Sequence, residues 1–263
     1  KNNIKAIIGS HPVYTMAIPL RIAAQKNIPS YVIDLVQFHK VTKNNLTELS
    51  DRKNYRKIAK TLKDIKKGKK IAKKMIEAKL NSAKNYNDEN PQISGNSFHA
   101  RLNKSVIKKS NRIKILVSSH EFFDAVNVYG GSFFSDFYEW MEYLGKLSLE
   151  TSYDWYIKVH PAQKGKYALY QPFTTKVLDR FVKKYKKFKI LPLDYSHKQI
   201  LKEKIDFALT VFGSIAYEYP HANIPVITAS LNHPTSVYKF STTPKSKKHY
   251  DYFPRAIYEA FSE

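Results

Sequence analysis

Two short runs hold the residues best suited to chemistry. Lys158, His160 and Pro161 follow directly on the apolar run Trp155 to Ile157, and further along Gly213, Ser214 and Glu218 follow on Phe207 to Phe212. A β-branched or aromatic run that stops abruptly at polar residues is the pattern of a buried parallel strand whose carboxyl end opens onto a ligand crevice. Gly213 and Ser214 then open a helix. A helix start offers unpaired backbone N–H groups and the positive end of the macrodipole to an anion such as a phosphate. The stretch 155–228 therefore reads as a nucleotide-diphosphate pocket.

The elements that must position these groups alternate along the chain. Strands are expected at 113–119, 155–159, 188–192, 207–211 and 225–228, with helices between them at about 135–147, 174–187, 196–203 and 215–222. Ser132 or Ser135 is the expected cap of the first of these helices and Ser196 of the third. Strands and helices joined by short connections predict a parallel, doubly wound sheet. A closing helix is expected at 250–261.

Upstream, 4–9 and 31–35 read as strands around a helix at 18–26, a strand, helix, strand unit of the parallel-sheet kind. Two strands are too few for a stable sheet domain, so the N-terminal domain is expected to be incomplete. Between 51 and 80, Tyr55, Ile58, Leu62, Ile65, Ile71, Met75 and Leu80 recur at helical spacing among lysines. They predict one amphipathic basic helix, or two broken near Gly68, with the apolar face packed on the protein or laid on an anionic membrane. Residues 81–111, rich in Asn, Ser and Lys, read as a linker or mobile loop. The expected division is 1–80, a partial N-terminal Rossmann-like unit with the basic segment; 81–111, the linker; and 112–263, the nucleotide-binding unit.

Composition narrows the partners. The 263 residues are 43% hydrophobic, enough for packed cores, and 45 Lys and Arg against 22 Asp and Glu leave a net charge of +23, which favours an anionic partner. With no cysteine there is no disulfide framework, thiolate metal site or cysteine nucleophile, which suits a reducing cytoplasm. No apolar run approaches the roughly 20 residues of a membrane span, and no signal-peptide pattern precedes the first strand. The expected location is cytoplasmic, with the option of a peripheral seat on the inner face of the inner membrane.

The segments H-E-F-F-D-A at 120–125, S-D-F-Y-E-W at 135–140, K-V-H-P at 158–161 and G-S-I-A-Y-E at 213–218 with the downstream I-P-V-I together resemble bacterial capsule and surface-polysaccharide glycosyltransferases of the GT-B architecture. Within that group the likeness is to Kdo-transferase-like and related capsule sugar transferases, and more distantly to CDP-glycerol glycerophosphotransferases. It covers about 113–240. The resemblance implies two Rossmann-like domains facing a cleft, with the donor held by the C-terminal one. It implies that Lys158 and His160 stabilise charge developing on the departing phosphate. Gly213 and Ser214 would hold the phosphate, and Glu218, one helical turn on, would reach the ribose. Tyr195 and His233 are further candidates for the donor pocket. Turn chemistry explains them equally well. An inverting transfer needs a base for the acceptor hydroxyl; Asp124 is the first candidate with His120 in support, and His11 in the N-terminal unit is the rival.

The function so implied is transfer of a sugar from a CMP-, CDP-, UDP- or GDP-linked donor to a capsular or lipopolysaccharide-type glycan or glycolipid. No cofactor is expected, since the nucleotide sugar is a substrate. There is no D-x-D sequence, so lysine and histidine rather than a metal are expected to neutralise the phosphates. No P-loop, G-x-S-x-G or H-E-x-x-H motif occurs either. The alternatives are a CDP-polyol phosphotransferase or a sugar-nucleotide 2-epimerase of the same fold. A nucleic-acid binder is permitted by the charge, but no DNA or RNA recognition motif is present and nucleic acid is not an expected partner.

Overall fold

A computed structural model describes residues 3–10, 13–33, 38–46, 55–80, 105–123, 130–160 and 171–252. Among these residues there are two sheets. The larger contains β4 (Lys114–Ser118), β5 (Asp154–Lys158), β6 (Phe188–Ile190), β7 (Phe207–Thr210) and β8 (Val226–Thr228) in the spatial order β6-β5-β4-β7-β8, every pairing parallel. The chain starts in the middle strand, moves outward through β5 and β6, and returns to build β7 and β8 on the other side. Its direction of travel reverses between β4 and β7.

The strands are apolar nearly throughout because helices cover both faces. Side chains alternate across the sheet, so Ile115, Val117, Trp155, Ile157, Phe207 and Leu209 enter one core, while Leu116, Tyr156, Ala208 and Val226 enter the other. The first core is closed by α4 (Phe137–Glu150) and α5 (Gln171–Lys184) through Trp140, Met141, Leu144, Leu178 and Phe181. The second is closed by α6 (His197–Lys202) and α7 (Ile215–His221) through Ile200, Ile215, Ala216 and Tyr219. Close approach of α4 and α5 depends on Gly145, where a Cβ would fall 2.3 Å from the Tyr185 ring.

Local signals explain several boundaries. Ser196 caps α6 as expected, its side chain accepting from Gln199 N–H at 3.1 Å. For α4 the cap is Asp136, not Ser132 or Ser135: its carboxylate accepts from Glu139 N–H at 2.7 Å, and Glu139 reaches back to Ser135 N–H and hydroxyl, both at 2.7 Å. This is a capping box shifted by one residue. The linker also ends earlier than expected. Ile107 is buried in the second core, Val106 N–H donates to the Tyr195 hydroxyl at 2.8 Å, and Lys108 N–H donates to the Tyr156 hydroxyl at 3.0 Å. The larger unit thus begins by residue 105; residues 81–104 lie outside the described residues. At the other end, 247–252 are helical, three residues ahead of the expected start, and 253–263 are outside the described set.

The smaller sheet joins β1 (Ile7–Gly9), β2 (Ser30–Ile33) and β3 (Phe38–Val41), with α1 (Tyr14–Gln25) packed on it through Leu20 and Ala24. β1 and β2 are parallel, as the strand, helix, strand reading requires, but the unforeseen β3 is antiparallel to β2. Its connection is too short for a crossover. The basic segment is two helices, α2 (Tyr55–Thr61) and α3 (Ile65–Leu80). They are broken before Asp64 rather than at Gly68, because Asp64 caps α3 by accepting from Lys67 N–H at 2.8 Å. α3 has no buried residue among the described positions. No helix among the described residues is long and apolar enough to cross a membrane.

Candidate functional site

In an open parallel sheet the ligand crevice lies outside the carboxyl ends of the strands where the chain reverses direction. Here that point is between β4 and β7, and the residues leaving those two strands are bonded to each other. His120, two residues beyond β4, accepts through Nε2 from Val211 N–H at 3.2 Å and Phe212 N–H at 3.0 Å, and the same nitrogen lies 3.2 Å from the hydroxyl of Thr210, the last residue of β7. A nitrogen that accepts two backbone N–H groups carries no proton, so the ring is neutral with its hydrogen on Nδ1. Burial first, then the neighbouring His160 and His233, hold its pKa down at about 3. Phe137 stacks on the ring at 4.4 Å between centroids.

Thr210 Oγ1 in turn accepts from Gly213 N–H at 3.0 Å. A Cβ on Gly213 would sit 2.5 Å from that oxygen, so glycine is required here by space. His233, after β8, closes the turn from below. Thr235 N–H donates to its Nδ1 at 3.0 Å, leaving Nε2 to donate to Gly213 carbonyl at 3.3 Å, and burial lowers its pKa to about 4. Three strand ends thus fix one short turn, and at its crest Ser214 is exposed and makes no side-chain cap to α7. His160, after β5, is half-buried and close enough to His120 to affect its charge. A buried carboxylate that the sequence reading did not single out, Glu121, is anchored by the Thr174 hydroxyl at 2.6 Å beside the same loop.

The structure thus assembles His120, His160, Gly213 and Ser214, with His233 beneath them. Lys158 and Tyr195 are engaged elsewhere. Lys158, the last residue of β5, shares the sheet face of Tyr156, is buried, and donates to Leu193 carbonyl at 2.8 Å. Tyr195 is fully buried and its hydroxyl donates to Glu203, which makes it a core strut rather than a pocket wall. Glu218 does stand one turn beyond Ser214, its N–H bonded to Ser214 carbonyl at 3.3 Å, but it is buried and ion-paired with Lys79 at the end of α3. Nearby, His197 Nδ1 meets the Tyr219 hydroxyl at 2.6 Å. Burial and the charges of Lys158 and Lys79 keep the His197 pKa near 3. Asp124 and His11 lie outside the described residues.

The arrangement can receive an anion at the exposed Ser214 hydroxyl, since the N–H groups of Val211, Phe212 and Gly213 are already taken by His120 and Thr210. His120 cannot accept a proton through Nε2 without giving up two backbone bonds, so what it does in this structure is hold the turn at 211–212. Among the described residues no group of three or more His, Asp or Glu could hold a metal ion. No protein-family model matches the chain, no curated protein matches it, and no solved structure matches it.

Proposed function

We propose that the chain is a transferase that takes a sugar from a nucleotide-linked donor and passes it to a surface glycan, in the two-domain manner of GT-B enzymes. The observation that supports it most directly is the bonded set His120, Thr210 and Gly213, which joins the ends of β4 and β7 at the reversal point of a doubly wound sheet. In this reading the donor phosphate rests against Ser214, with His160 as the polar group at the leaving-group side. Glu218 meets the ribose only if Lys79 releases it. The base is sought at Asp124, and the smaller α/β unit supplies the acceptor side.

A thermal-shift screen across CMP-, CDP-, UDP- and GDP-sugars tests this. A ligand at about 100 times its Kd stabilises the folded state by about 2.7 kcal/mol, which raises Tm by several degrees. One donor class is expected to do so, and Ser214→Ala, at an exposed position, is expected to reduce the shift without changing the Tm of the free protein. A screen in which no nucleotide sugar moves the Tm overturns the proposal.

A further inference from the structure

At the opposite, amino-terminal edge of the large sheet is a cavity of about 440 Å³ lined by Lys108, Lys109, Ser110, Arg112, Tyr153, Asp154, Lys186, Lys187 and Lys189. Six of these are cations, drawn from two segments far apart in sequence: the approach to β4, and the turn after α5 that runs into β6. Asp154 is the one carboxylate among them, and it is already engaged, accepting from the Ser110 hydroxyl at 2.6 Å and facing Arg112 at 3.8 Å. Lys187 donates to Thr151 carbonyl at 2.5 Å, which ties its ammonium to the end of α4. Lys189 lies 5.7 Å from the Tyr156 ring centre. Burial and the like charge of Lys108 lower its pKa. Like charges gathered around a concavity repel one another, and a multiply charged anion relieves that repulsion.

We propose that this cavity binds a phosphate-bearing polyanion, gripped by the ammonium groups of Lys108, Lys109, Lys186, Lys187 and Lys189 and by Arg112. Lysines act as point donors to phosphate oxygens, and several of them around one concavity suit a compact, highly charged group better than a single carboxylate. The one aromatic side chain in this lining, Tyr153, is buried, so the cavity offers no platform for stacking bases, and a nucleic-acid strand is disfavoured. The site is independent of the transferase reading.

Isothermal titration of the full chain with sodium tripolyphosphate, and sedimentation with phosphatidic-acid vesicles against phosphatidylcholine vesicles, test it and separate a soluble phosphate from a lipid headgroup as its source. Saturable binding to at least one of these phosphate probes is expected. The double variant Lys108→Glu, Lys186→Glu, both exposed, should weaken it by at least about tenfold, whereas Lys66→Glu, Lys73→Glu in α3, with the same charge change, should weaken it less than about threefold. Circular-dichroism melting confirms that both variants are folded. Equal losses in the two variants, the absence of saturable binding to either probe, or tighter binding to duplex DNA than to both would overturn the proposal.

Discussion

His120 shows how a side chain with catalytic potential can be committed to architecture. Its Nε2 is occupied by two backbone donors, and burial, with His160 and His233 nearby, disfavours a positive ring. Replacing it with asparagine should open the turn at Gly213 rather than remove a base, so donor affinity should fall along with turnover. An unchanged donor shift in the thermal-shift assay would contradict this. Gly213→Ala is the sharper test, because the new methyl group must displace the Thr210 hydroxyl that holds the turn. A destabilisation of about 1–3 kcal/mol by urea titration, together with loss of the donor shift, is expected.

Among the elements, α3 has no buried residue at its described positions. Its lysines and its apolar residues Ile65, Ile71 and Met75 all face solvent, yet its last turn places Lys79 on the buried Glu218 of α7. Removing one partner of a buried pair leaves a charge without compensation, so Lys79→Met should cost about 3–5 kcal/mol, and Lys79→Met with Glu218→Gln together should cost less than Lys79→Met alone. Denaturant titration of the two variants checks this. Equal stabilities for the two would show that the ion pair does not hold α3 in place. On the other face of the sheet, Gly145→Ala would drive a methyl group into Tyr185 and part α4 from α5. A loss of several degrees in Tm is expected.

For the molecule as a whole, buried histidines set the response to acid. His120 and His197 have folded pKa values near 3 and His233 near 4, against 6.5 for the unfolded side chain. Between those limits the unfolded state binds more protons, so stability is full above about pH 6.5 and falls as the pH drops below it. Three such groups make the folded state about 4 kcal/mol less stable at pH 5.5 than at pH 7.5. That is a large share of the 5–15 kcal/mol typical of a domain. Urea titrations at the two pH values read this directly, and equal midpoints would show that these imidazoles are not held neutral.

Much of this organisation was legible in the chain itself, because strand and helix periods follow from local alternation of apolar and polar side chains. The order of elements from 113 to 228, the parallel sheet they build and the helix start at Ser214 all follow from it. Alternation even places Lys158 on the face of Tyr156. It does not say which polar tips find partners inside the protein, and Lys158 and Tyr195, both candidates for the donor pocket by sequence, are bonded to Leu193 and Glu203. The antiparallel turn of β3 and the cap at Asp136 depended on a connection length and a one-residue register that composition leaves open. The pairing of Lys79 with Glu218 and the fixing of Gly213 by His120, Thr210 and His233 join residues far apart in sequence. Such contacts are decided by packing in three dimensions, where burial obliges each polar group to find a partner, and no local pattern encodes which partner that will be.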